Sequence, residues 1–271
     1  MSRLFLCLFC LALLLASGCG NVGRATVLAN PAEPERKEGE AGYRMVLTIQ
    51  DVEHAFRWCP PGTFMMGSPE SERHRGNETH DQVTLPHGFW ILETLVTQEM
   101  WKNVMQNNPS AFQGIRVLFK DTRQFPVENM SWNDCQEYIK KLNDLGIAPV
   151  GYRFSLPTEA QWEYACRAGK TTPYHFGDTL DKNKANYNNN IGRTTKVGSY
   201  PANAWGLYDT HGNLLWEWTS DLNAEGTYRV LKGGSWFNLN ECRSAARGQV
   251  ALSVQEGDFA WGLRLALVRT E

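Results

Sequence analysis

The residues with the widest chemical reach in this chain are its seven cysteines and six histidines. Soft-metal or thiol redox chemistry needs two thiolates held close together, and zinc or iron needs His, Cys or carboxylate ligands at short local spacing. His54, His74, His80, His87, His175 and His211 contain no i, i+4 pair and no tight cluster, so no sequence-local transition-metal site is expected. Cys59, Cys135, Cys166 and Cys242 are widely spaced. In an oxidising compartment they either pair in one of three ways or stay as buried free thiols, and the sequence leaves both open. Cys7, Cys10 and Cys19 belong to a different kind of segment. Arg3 is followed by an apolar or small run from Leu4 to Ala16, closing on Ala16-Ser17-Gly18-Cys19. That is the layout of an export signal, and it is shorter than the roughly 20 apolar residues of a spanning helix.

The small residues before Cys19 resemble a bacterial lipobox, in which the cysteine is acylated after cleavage; Ala16 stands where that pattern prefers Leu. Residues 1–18 are accordingly expected to be a lipoprotein signal peptide and Cys19 the lipidation site. The mature protein would be exported and lipid-anchored to a bacterial membrane, at the periplasmic face or the cell surface. Residues 19–42, with Pro31, Pro34 and a run of charges, read as a flexible tether. Residues 43–271 form one globular domain. The composition, 42% apolar and 21% charged, supports a good core, and a net charge of −2 with no basic run excludes nucleic acid as an expected partner.

Three helices must position the rest. The first starts at Thr97 with Trp101, Val104 and Met105 inward and ends before Pro109. The second has Ser131 as cap, Asp134 three residues on, Cys135, Tyr138, Ile139 and Leu142 at helical spacing, and Gly146 as stop. In the third, Thr158 and Gln161 form a capping box, Trp162, Ala165 and Cys166 face inward, and Gly169 supplies the left-handed stop. Strands are expected at 63–66, 82–85, 89–93, 230–232 and 263–268. Residues 171–201, rich in Gly, Asn and Thr without a period, should be ordered loop.

Several ordered segments carry a resemblance. They are Pro61-Gly62-Thr63-Phe64-Met65-Met66-Gly67-Ser68, Phe125-Pro126-Val127 with Ser131-Trp132, Leu156-Pro157-Thr158-Glu159-Ala160-Gln161-Trp162-Glu163-Tyr164-Ala165 and Gly206-Leu207-Tyr208-Asp209. Then follow Gly212-Asn213, Trp216-Glu217-Trp218, Gly233-Gly234-Ser235-Trp236, Cys242-Arg243-Ser244-Ala245-Ala246-Arg247 and Gly262-Leu263-Arg264. From about Phe56 to Val268 the chain resembles the formylglycine-generating (sulfatase-modifying factor) family. The resemblance implies an α/β fold, C-type-lectin-like, with much irregular structure. The tryptophans suit a loop-rich core in which indole N–H groups satisfy carbonyls, and Arg243, Arg247 and Arg264 suit forked bonds to Glu159, Glu163 or Glu217.

Active members of that family oxidise a sulfatase cysteine to formylglycine with copper held by two of their own cysteines. The corresponding places here are Asn238 and Arg243, and Cys242 has no second cysteine nearer than Cys166, so copper is not expected. The resemblance also implies structural calcium on Asp209, Gly212 and Glu217, with Asn186 and Tyr187 beginning a second site; one extra residue precedes Trp216. Residues 236–261 occupy the place where this fold presents its ligand surface. Trp236, Phe237, Asn238, Asn240, Glu241, Gln249 and Phe259 are the expected contacts for a protein or glycan ligand. Retroelement-diversified lectin-fold proteins, such as the variable proteins of treponemes, are similar in this respect. The expected role is a ligand-binding or scaffold module; the alternative is an oxidase of the family or a related non-classical oxidase.

Overall fold

A computed structural model describes residues 25–26, 36–76, 78–114, 121–213 and 216–270. The signal segment and Cys19 lie outside these residues, and no helix among the described residues is long and apolar enough to cross a membrane.

Among the described residues, strands and α-helices follow one another as β1 (Ala25–Thr26), β2 (Arg44–Ile49), β3 (Val52–Cys59), β4 (Gly62–Gly67), β5 (His80–Leu85), β6 (Phe89–Leu92), α1 (Gln98–Met105), α2 (Trp132–Asp144), β7 (Tyr152–Ser155), α3 (Glu159–Arg167), β8 (Trp216–Leu222), β9 (Tyr228–Lys232), β10 (Gly248–Ala251), β11 (Trp261–Gly262) and β12 (Ala266–Arg269). One sheet has the order β1-β2-β3-β6-β12-β7, a second β10-β9-β8-β11, and β4 pairs with β5 alone. This is the mixed α/β architecture, with long irregular connections, that the sequence implied.

The helices form where their caps dictate. The side chains of Thr97, Ser131 and Thr158 accept the N–H of Met100, Asp134 and Gln161, and the last two caps are full capping boxes. Trp101 stacks on Tyr138 with ring centroids 5.0 Å apart, which seats α1 on α2. Their buried faces meet Met45, Leu47, Ile49, Phe56 and Phe154 of the first sheet, Trp218 and Leu231 of the second, and Leu263 between β11 and β12 in one core. α3 ends one residue earlier than expected: Ala168 already adopts the left-handed conformation at φ +46°, and Gly169 continues it.

Two expectations shift for identifiable reasons. The segment 263–268 is not one strand, because the chain crosses there from β11 in one sheet to β12 in the other while Arg264 turns into the interior. The stretch up to Gly42 is not tether throughout. From Arg36 on it is bound to the domain: the Arg36 guanidinium donates to the carbonyls of Ala41 and Ala204, and Gly42 N–H donates to Trp58 O at 2.7 Å. Residues 171–201 contain no helix or strand, as expected.

Buried charges tie the four-stranded sheet to α3 and to β4. Lys232 on β9 is fully buried and meets Glu163 of α3 at 3.0 Å, and the same carboxylate pairs with Arg167 at 2.9 Å and accepts Gly67 N–H at 2.8 Å. Arg247 pairs with Glu159 at 2.7 Å.

Candidate ligand-binding face and its supporting loops

Gly233 and Gly234 both have positive φ, and a Cβ on Gly234 would lie 2.6 Å from Glu241 O. Only glycine lets the loop fold back on residues 241 and 242 this closely. The loop is then stitched to its neighbour: Asn188 N–H donates to Asn238 O at 2.9 Å and Asn189 N–H to Trp236 O at 2.8 Å.

Within this loop Asn238 and Arg243, the places that the resemblance sets against the family's copper cysteines, do structural work. The Asn238 side chain accepts the Ser235 hydroxyl at 2.5 Å. Arg243, 3% exposed, pairs with Glu72 and Glu78 at 2.6 Å each and donates to His74 O at 2.8 Å. Burial acts to raise the Glu78 pKa, but the hydrogen bond and charge of Arg243 outweigh it and hold Glu78 below the usual carboxylate range. Arg243 thus finds partners that the sequence did not suggest, since the expected ones were Glu159, Glu163 and Glu217.

The four cysteines of the domain are free and buried. Burial, with the Glu241 charge adding to it, pushes the Cys242 thiol up to about 12, and burial raises Cys166 to about 11. Both therefore stay protonated near neutral pH in the domain as it stands.

Beyond this loop an aromatic cluster reaches solvent. Trp236 and Phe237 have centroids 5.2 Å apart, Phe259 lies 6.3 Å from each of them, and Phe112 meets Trp236 edge-on at 5.8 Å. Phe237 is 37% and Phe259 45% exposed, so a large part of the cluster is uncovered. Asn238 and Asn240 are half-buried beside it and Glu241 is exposed. Gln249 is also exposed but sits on β10, opposite Val230 of β9. Phe112 was not foreseen. It is presented by the buried Glu128 carboxylate, which accepts the N–H groups of Ala111 and Phe112 at 2.8 and 2.7 Å. Next to the cluster, Leu239 and Asn240 pass into a groove of about 590 Å³ whose other walls include Pro69, His74, Tyr174 and Leu180.

The residues proposed for calcium fall into two groups. Glu217 is committed: both carboxylate oxygens accept from Arg264 at 2.9 Å, and Oε2 also accepts Trp162 Nε1–H at 2.7 Å. Its donor oxygens are therefore turned to the arginine rather than to the loop. Asp209 accepts Gly198 N–H at 2.7 Å through Oδ2, while its buried Oδ1 has no hydrogen bond of ordinary length and the Asn213 side chain gives the carboxylate only weak support. Burial pushes its pKa up to about 6. Asn186 donates to Arg193 O at 2.9 Å and its buried Oδ1 is likewise unpartnered. The Tyr187 side chain packs with Tyr174, Ala185 and Cys242. Gly212 is needed for close approach, as a Cβ would lie 2.4 Å from Asn186 O. Among the described residues no three His, Cys, Asp or Glu side chains converge on one metal position. The extra residue before Trp216 falls at 214–215, outside the described residues.

Comparison with known proteins places this geometry. Residues 50–268 match the sulfatase-modifying factor enzyme 1-like domain. The chain is 30% identical over 217 residues to the serine/threonine-protein kinase pkn1 of Chlamydia caviae, a match covering 66% of this chain but only 32% of that protein. It is 30% identical over 205 residues to the chaperone protein LppX of Paenibacillus barcinonensis, covering 55% of this chain and 70% of the relative. Among solved structures, Treponema denticola variable protein 1 superimposes with a TM-score of 0.68 at 26% identity, covering 82% of this chain and 97% of that one. The fold is accordingly C-type-lectin-like, and with a match running through nearly all of the described domain, this chain belongs to the sulfatase-modifying factor enzyme 1-like family.

Proposed function

We propose that this protein is an exported lipoprotein, anchored through Cys19, whose domain binds a ligand on the face formed by Trp236, Phe237, Asn238, Asn240, Glu241 and Phe259, with Phe112 added. The observation that carries this reading is the neighbourhood of Arg243. Where the resemblance puts the copper of the family's oxidases, an arginine locked to Glu72 and Glu78 supports a loop whose aromatic side chains remain partly exposed, Phe237 at 37%. Aromatic side chains ringed by amides and a carboxylate offer both apolar area and directional bonds to a protein or glycan. A relative named as a chaperone protein supports a binding role.

The test replaces Trp236, Phe237 and Phe259 together by alanine and compares binding to surface proteins and a glycan panel with thermal unfolding. Binding should fall at least about tenfold, the loss expected when anchor residues are removed, with the fold retained. Undiminished binding refutes the reading, and so does conversion of a sulfatase-type cysteine peptide to formylglycine by the copper-supplemented protein. Incorporation of labelled fatty acid, abolished by Cys19→Ala, tests the anchor.

A structural calcium, which the family resemblance implies, would draw on the free oxygens of Asn186 and Asp209 while Glu217 stays on Arg264. Thermal unfolding in chelator and in added calcium tests this; superimposable curves would sink it.

A further inference from the structure

The six-stranded sheet would end at β2 were it not for β1. Ala25 and Thr26 pair antiparallel with Leu47 and Val46. Met45, Leu47 and Ile49 point into the main core, so Val46 points to the opposite face, yet it is only 1% exposed. An uncovered β2 would present a row of free N–H and C=O groups, which a native edge strand avoids. The chain is held again at Arg36 through the carbonyls of Ala41 and Ala204.

Covalent geometry sets the consequence. Six residue steps separate Cys19 from Ala25, and an extended chain advances at most about 3.6 Å per residue, roughly 22 Å in all. A leash running freely to Gly42 could reach about 80 Å by the same measure.

We propose that Ala25–Thr26 is a docked strand in the anchored protein, so that the β1 edge of the six-stranded sheet is held against the lipid headgroups. Trp236, Phe237 and Phe259 are carried on loops beside the other sheet and are displayed from there. The docking stands on the register alone, whereas the apposition to the bilayer rests on the reading of Cys19 as the anchor.

Two measurements on the full chain test the two halves. In hydrogen exchange, the β2 amides that face β1 should exchange at least about tenfold faster in an Ala25→Pro, Thr26→Pro variant, because proline removes the pairing N–H, while β3 amides facing β6 stay unchanged. Equal exchange in both chains overturns the docking. For the membrane half, a fluorophore is placed on Asp51→Cys, at the exposed turn after β2, and quenched by headgroup-nitroxide lipids in vesicles. Quenching should be strong in the parent and fall severalfold both in the proline variant and when about 20 Gly/Ser residues are inserted after Asn21, a length that gives a flexible coil. Equal quenching in all three overturns the apposition. A chain that does not float with vesicles overturns the anchor itself, and the exchange result still decides the docking.

Discussion

Two buried polar regions of this domain behave in opposite ways. Around Glu217, Arg264, Glu163 and Lys232 the charges are paired, and Arg264 also donates to the carbonyls of Leu92, Glu93 and Tyr208. Around Asn186, Asp209 and Asn213, in the loops between α3 and β8, Asn186 Oδ1, Asp209 Oδ1 and Asn213 Nδ2 are buried without a hydrogen bond of ordinary length, the Asn213 side chain giving Asp209 only weak support. Buried polar groups are normally satisfied, so the first region reads as frame and the second as a place where the fold tolerates cost. The contrast teaches where to look for sensitivity: the frame should fail by loss of a partner, the loops by a change of protonation or of bound ion.

The largest effect should come from breaking the frame. Glu217→Ala leaves the Arg264 charge buried and unpaired and should cost about 3–5 kcal/mol in urea unfolding. Adding Arg264→Met should recover a substantial part of that loss; if the two changes simply add, the pair is not coupled.

Acid comes next. Burial lowers His54 to about 4, against an opposing hydrogen bond to Val52 O, and burial with the Lys184 charge lowers His175 to about 4. The unfolded chain takes up these protons first as pH falls. Stability from each neutral imidazole is therefore full above about pH 6.5 and lost as pH drops toward 4, on the order of 3 kcal/mol for His54. Urea midpoints at pH 7, 5.5 and 4 should show this, and His54→Phe should flatten the profile.

Asp209 should slope the other way. Its folded pKa is raised to about 6, so its contribution is full below about pH 4 and lost as pH rises through 6. Asp209→Asn keeps an acceptor for Gly198 N–H and should stabilise the domain by on the order of 2 kcal/mol at pH 7.5, with no gain at pH 4. An equal gain at both pH values would show that its charge is not what costs.

The smallest effect belongs to the exposed face. Phe237→Ala with Phe259→Ala should cost only about 1–2 kcal/mol in urea unfolding, because both rings are partly exposed at 37% and 45%.

Local signals were legible in the sequence and long-range ones were not. Ser131 with Asp134 and Thr158 with Gln161 declare their helices within one turn of chain, and the structure contains both capping boxes. The hairpin of β2 and β3 lacks a local signal, for its turn places Gln50 and Asp51 at φ +47° and +66°. A two-residue turn of that kind usually advertises itself as Asn-Gly or Asp-Gly. Arg44, Glu53, His54 and Arg57 also interrupt the alternation that marks a strand; Arg57 and His54 are buried nonetheless. At the candidate face, residues 236–241 and Phe259 could be placed from one loop and its return. Phe112 could not, since its position depends on Glu128, sixteen residues away in sequence. Arg243 was readable as a missing thiolate, but not as the partner of a turn more than 160 residues earlier.

That last pairing makes the departure from thiolate chemistry hard to reverse. Substituting Asn238 and Arg243 by cysteine would install two sulfur atoms and at the same stroke strand Glu72 and Glu78 without their cation, a change of the order of 3–5 kcal/mol against folding. A route back would have to neutralise both acids and re-form the turn at residues 68–78 before any metal could be held. The arginine therefore makes the conformation of this loop depend on a distant turn, so that a change at either place is felt at the other.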